Sequence, residues 1–128
     1  MAYPSDYKYS KEHEWVKADG NIGTIGITDH AQHALGDLVF VDLPKVGAEL
    51  KAGESLGSLE SVKAVSDVFS PVSGTVAAVN SELATAPEKI NADAHGAWII
   101  KVNMKDPAEL NGLLSGEQYE QFIAEEGH

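Results

Sequence analysis

The residues best placed to do chemistry form one stretch, Ser58-Leu59-Glu60-Ser61-Val62-Lys63-Ala64-Val65-Ser66-Asp67-Val68-Phe69. Two extended arms flank a tip near Val62 and Lys63. Neither tip residue is Gly, Asn or Pro, so local turn preference does not account for the turn. A β-branched residue beside a lysine is poor turn chemistry, and local rules tend to be broken at functional sites. A solvated surface lysine is the other reading. His30 and His33 lie three apart on a short helical segment, a spacing that can bind metal, but no third ligand is evident, so a helical surface pair is the preferred reading and no metal site is expected. Ser, His and Asp occur without a nucleophile elbow. Gly53 and Gly57 belong to a turn and a strand, not to a phosphate loop.

Composition removes whole classes of function. The 128 residues include no Cys and no Arg, with 9 Lys against 20 Asp and Glu for a net charge of −11. There is no thiol nucleophile, disulfide framework or thiolate metal site. Eleven excess negative charges and no guanidinium fork argue against nucleic acid as a partner. No apolar run approaches a membrane span, and the polar start has no signal-peptide core. The reading is a single acidic domain over 1–128, whose protein partners present basic surfaces.

The elements that must position the lysine are mostly short strands. Extended runs are expected at Glu12–Lys17 and Ile22–Ile27, joined by a tight Asp19-Gly20-Asn21 hairpin with both central residues at positive φ. Thr28 caps a helix over Asp29–Leu35 that Gly36 ends. Further strands fall at Asp37–Leu43, Glu49–Lys51, Ser55–Glu60, Val65–Phe69, Thr75–Val79 and Trp98–Val102, with an irregular connection over 80–96. Short strands with turns every eight to twelve residues suggest a small sandwich or barrel. The β body covers about 8–103, and a helical segment about 106–126. In that segment Asp106 and Ser115 start two helices with capping patterns, and Tyr119, Phe122 and Ile123 form an apolar stripe. Val46–Leu50 loosely echoes Val72–Val76, and Asp37–Phe40 echoes Asp67–Phe69, which suggests two quasi-equivalent β halves about the lysine hairpin.

The hairpin together with its surroundings resembles the H proteins of the glycine cleavage system. The resemblance rests on Glu60-Ser61-Val62-Lys63-Ala64, Ser66-Asp67-Val68 and Ser70-Pro71-Val72-Ser73-Gly74. It extends to His13-Glu14-Trp15-Val16, to Gly26-Ile27-Thr28-Asp29-His30-Ala31-Gln32, to Leu35 through Pro44, and to Trp98–Val102, so it covers essentially the whole chain. It implies a mainly β, flattened barrel or sandwich of the biotinyl/lipoyl hammerhead type, with a short internal helix and C-terminal helices. It implies lipoic acid in amide linkage to Lys63. Attachment enzymes of such proteins read a glutamate three residues before the lysine and glycines eleven after and sixteen before it; here these are Glu60, Gly74 and Gly47. Turn geometry is the other explanation of the two glycines, and strand solvation that of Glu60.

The implied role is carriage rather than catalysis. An aminomethyl group passes from glycine decarboxylase to aminomethyltransferase, and dihydrolipoyl dehydrogenase reoxidises the dithiol. Lipoate attachment enzymes are the further partners. The cofactor supplies the chemistry and the protein presents it. A loaded arm is open to hydrolysis and its protonated amine calls for a carboxylate, so a groove lined by Glu14 and Asp67, with Glu12 at its edge, acids that lie in the matching motifs, is expected to shelter it; solvated acidic positions are the other reading. A monomer in the bacterial cytoplasm is expected, or the mitochondrial matrix for a processed organellar form.

A biotin carrier would place Met on both sides of the lysine, where Val62 and Ala64 stand. Lipoyl domains of acyltransferase complexes have Asp before it. A lipoyl-relay scaffold of the H-like family and a plain interaction module are the remaining alternatives. The chain departs from its relatives at Ala94-His95-Gly96-Ala97, one residue short and without their Pro-Tyr-Gly, which puts the contacts of the missing tyrosine in doubt.

Overall fold

The computed structural model describes residues 3–126. Its nine strands are β1 (Lys8–Tyr9), β2 (Glu14–Asp19), β3 (Ile22–Ile27), β4 (Leu38–Asp42), β5 (Glu49–Leu50), β6 (Ser55–Ser61), β7 (Val65–Phe69), β8 (Gly74–Val79) and β9 (Ile100–Met104). Three α-helices join them: α1 (Asp29–Leu35), α2 (Lys89–Ala92) and α3 (Gly116–Glu125). One sheet runs β1-β2-β3-β9-β8-β5 and the other β4-β6-β7. Every pairing is antiparallel. No described helix is long and apolar enough to cross a membrane.

Alternation drives the strands. In β9, Ile100, Val102 and Met104 are buried while Lys101 and Asn103 point away from the core. Ile25, Val41, Leu59, Val68, Val76 and Val102 meet in one core between the sheets. A second, smaller core gathers Tyr9, Trp15 and Tyr119, and it fastens the apolar face of α3 to the first sheet. The α3 cap is a complete capping box, with Ser115 Oγ accepting from the Gln118 N–H and the Gln118 side chain accepting from the Ser115 N–H.

The echoing segments find each other. Glu49 pairs with Thr75 and Leu50 with Gly74, while the Gly47 N–H donates to Val76 O and the Val76 N–H to Ala48 O, both at 2.8 Å. β4 and β7, which carry the other echo, flank β6 on its two sides.

Four expectations change. The β2–β3 loop is Gly20-Asn21, because Asp19 pairs with Ile22, and only Gly20 has positive φ. That is the pattern of a type II′ turn, in which the first central residue alone must be left-handed. The connection over 80–96 is not irregular. It holds a 3₁₀ turn (Ser81–Ala84) and α2, anchored by the buried Leu83 and Ile90. The last strand is displaced to Ile100–Met104, because Trp98 turns aside to the second core. The run expected at Glu12–Lys17 forms instead as Glu14–Asp19, after the left-handed His13, whereas the helix expected after Asp106 is present as a 3₁₀ turn over Pro107–Gly112 with Asp106 as its cap.

Candidate functional site

The β6–β7 turn is held by a side chain at its first position. The Ser61 N–H donates to Ala64 O at 2.8 Å, closing the hairpin. Ser61 Oγ accepts from the Ala64 N–H at 3.1 Å and the Lys63 N–H at 3.3 Å. The turn is thus a serine-stapled one, in which a hydroxyl replaces the glycine that a bare hairpin would need. The Val62 N–H donates to Asp37 O at 3.1 Å, tying the tip to the chain entering β4. Val62, Lys63 and Ala64 are all exposed.

Lys63 leans toward the end of α1. Thr28 Oγ1 caps that helix by accepting from the Ala31 N–H, and Gly36 terminates it at φ +84°. A β-carbon at Gly36 would lie 3.4 Å from Lys63 Cε, so the bare backbone there forms the floor under the lysine stem. Asn91 of α2 fixes this corner. Its Oδ1 accepts from the Leu38 N–H, and its Nδ2 donates to Gly36 O and to Gln32 Oε1.

One residue back from Gly36 the same helix walls a cleft of about 180 Å³. Ile27, Ala31, Leu35, Leu59 and Val68 supply apolar surface, and Glu12, Glu14 and Asp67 supply acid. The three expected groove residues therefore share one cleft. Glu12 and Asp67 are exposed at its edges, whereas Glu14 is 2% exposed. Ser10 Oγ donates to Glu14 Oε1, and the Phe69 N–H donates to Oε2 at 3.2 Å. Burial pushes the Glu14 carboxyl up to about 7, these two hydrogen bonds oppose the rise, and the Glu12 carboxylate adds to it. The Lys63 stem lies over Gly36, whose chain neighbour Leu35 lines this cleft, and the cleft walls are mostly apolar.

The three residues expected to be read by attachment enzymes separate by cause. Glu60 is exposed on β6, in register with Phe40 of β4 and Val65 of β7. Val39, Phe40, Val62 and Val65 are each at least half exposed, so the lysine tip is ringed by apolar surface. Gly74 instead is buried between β5 and β9, where a β-carbon would meet Asn103 O at 2.2 Å. Gly47 adopts φ +94° with nothing within 4 Å of its would-be side chain, so backbone conformation is what asks for glycine. At the shortened 94–97 loop, Ala94 O accepts from Trp15 Nε1, and the His95 ring packs among Tyr3, Tyr7 and Tyr9. Its Nε2 accepts from the Asp29 N–H, and burial lowers its basicity.

Two features were hidden from sequence reasoning. The Ser61 staple was legible in principle, since serine at the first position of a turn is its usual signal. The left-handed backbone of His13, at φ +71°, had no signal. It carries the chain from the acidic edge at Glu12 to the buried Glu14.

Comparison with known proteins gives a single answer. The glycine cleavage H-protein family model matches residues 7–126. A glycine cleavage system H protein of Koribacter versatilis is 67% identical over the full length of both chains. One of Carboxydothermus hydrogenoformans is 57% identical, covering 97% of this chain and 96% of its own. The crystal structure of a glycine cleavage system H protein from Mycobacterium marinum superposes with a TM-score of 0.87 at 40% identity, covering 95% of this chain and 99% of that one. With sequence and fold agreeing over nearly every residue, the chain belongs to the glycine cleavage H-protein family, the lipoate-bearing carriers of the glycine cleavage system.

Proposed function

We propose that Lys63 is the lipoylated residue and that the protein carries the aminomethyl group of glycine from glycine decarboxylase to aminomethyltransferase, dihydrolipoyl dehydrogenase then restoring the arm. The observation that carries this reading is the placement of Lys63: exposed on a stapled turn, with its stem over Gly36, next in the chain to Leu35 of a mostly apolar cleft that holds a buried carboxyl. When bound, the lipoyl group supplies the disulfide that takes up the cargo and the dithiol that is reoxidised. The residues of the chain present, shelter and release.

Presentation falls to Ser61, which fixes the turn, and to the exposed ring of Val39, Phe40, Val62 and Val65, which a partner enzyme covers on docking. Glu60, between Phe40 and Val65, is the side chain that attachment enzymes read. Gly47 and Gly74 shape the backbone that those enzymes meet. Shelter falls to the cleft. Amide formation removes the lysine charge, which favours entry of the arm between Leu35, Leu59 and Val68. A cargo amine arrives as a cation, and Glu14 and Asp67 accept its hydrogen bonds. The protein acts as a monomeric, non-catalytic carrier in the bacterial cytoplasm, in keeping with its bacterial relatives.

Reconstitution of the lipoylated protein with the three enzymes, glycine and tetrahydrofolate tests the role. Glycine-dependent methylene transfer at catalytic amounts of the protein is expected. Transfer of the lipoyl group to other proteins, without glycine turnover, would mean a relay scaffold instead. A biotin increment on the native protein would redirect the assignment to a biotin carrier.

The shelter has its own test. Glu14→Gln with Asp67→Asn is expected to shorten the lifetime of the aminomethyl-loaded form at least about tenfold, through the loss of two charge-assisted hydrogen bonds. Ammonia release from the isolated loaded protein measures it. An unchanged rate removes the two acids from the shelter.

A further inference from the structure

One histidine of the α1 pair, His30, gains in the fold the two partners that its sequence context lacks, and His33 is not one of them. His13 and the end of α3 converge on His30, so that one donor atom each from His13, His30 and Glu126 lies within 4.8 Å of the others. The His13 and His30 ring centroids are 4.9 Å apart. His13 Nε2 stands 3.8 Å from Glu126 Oε1.

His13 is oriented from behind. Its Nδ1 shares a hydrogen bond with the Tyr119 hydroxyl at 2.7 Å, and that hydroxyl also bonds Thr28 Oγ1 at 2.8 Å. Tyr119 and Thr28 are fully buried. Metal-binding histidines are held in this manner, the far ring nitrogen engaged so that the near one faces the ion. The backbone of His13 is left-handed, an uncommon conformation for a side chain other than glycine. It aims the ring at α1 and α3 rather than along β2.

Two imidazoles and a carboxylate are the donor set of zinc-class ions, not of magnesium or calcium, which take oxygen ligands. Bonds of about 2.0–2.2 Å put ligand atoms roughly 3–4 Å apart. Glu126 is exposed and His30 half-buried, so small side-chain rotations close the set. The donors face an open cleft of about 550 Å³, whose wall includes His33 one turn along α1. That leaves room for water or an outside ligand on the ion. The acidic chain favours a cation in general.

We propose that His13, His30 and Glu126 form a binding site for a divalent transition-metal ion of the zinc class, clasping the turn before β2, α1 and the end of α3 together. The same His13 lines the neighbouring acidic cleft, so the site borders the shelter without sharing its carboxylates.

The test uses the full chain without an affinity tag. Zinc affinity is read by competition with a chromophoric chelator, and cobalt(II) is read by its visible d–d bands. Binding with nitrogen and oxygen ligation is expected in the parent. Each of His30→Gln and Glu126→Gln, both at accessible side chains, is expected to weaken it at least about tenfold, as loss of even an outer-shell partner can. His33→Gln is expected to stay within about threefold. Zinc is also expected to raise the melting temperature of the parent and not that of His30→Gln. Equal affinity in parent and His30→Gln would overturn the site. So would loss of binding in His33→Gln with none in Glu126→Gln, which would leave only the helical pair.

Discussion

Lys63→Arg is expected to abolish lipoylation completely while leaving the fold untouched. Attachment needs an amine that can lose its proton and attack an acyl group. The arginine guanidinium is delocalised and stays charged at any accessible pH. The side chain is exposed, and the turn is held by Ser61 and the backbone rather than by the lysine head. Stability should therefore move by no more than about 0.5 kcal/mol. Intact mass from lipoate-replete cells reads the modification, and thermal melting reads the fold. An increment that persists in the variant would place the lipoyl group on another lysine.

The second large effect is on stability. Gly74→Ala would put a methyl group 2.2 Å from Asn103 O and 2.9 Å from its carbonyl carbon. Both atoms belong to backbone, which cannot swing aside as a side chain would. Gly74 also pairs with Leu50 on one side and Met104 on the other, so β8 is held from both edges. Relief requires parting β8 from β9. A cost of about 1–3 kcal/mol is expected, a fall of roughly 4 °C in melting temperature per kcal/mol. Denaturant unfolding measures it. A variant that stayed fully stable yet was no longer lipoylated would instead make Gly74 a residue the attachment enzyme reads directly.

These two positions also show what a sequence can convey. The helix caps, which are encoded locally, are readable. Thr28 and Gly36 bound α1, and Ser115 with Gln118 opens α3, because caps are short-range chemistry. The arms of the lysine hairpin followed from extended runs around an awkward tip. What escaped depends on partners far along the chain. Asn91 joins α1, α2 and β4 across more than fifty residues. Trp98 leaves its strand for a core assembled from both ends of the chain. Gly74 reads as a turn glycine after Pro71, and only the β8–β9 register shows that contact, not φ, excludes a side chain there. The acids Glu12, Glu14 and Asp67 stand out on chemical grounds together with the family motifs in which they lie. That Glu14 is buried and the other two exposed needs β7 laid beside the turn before β2.

The serine staple at Ser61 has a consequence for the kinetics of carriage. A tether anchored to a wobbling loop explores the sum of loop and tether motion. With the arm on Lys63, as proposed, the Ser61 hydrogen bonds restrain its anchor, so the cargo end explores a shell set chiefly by the length of the arm. An enzyme docked over the hairpin then meets the reactive sulfur at a high effective concentration without making any new contact to it. Loosening the turn would dilute the cargo before a single partner contact was lost.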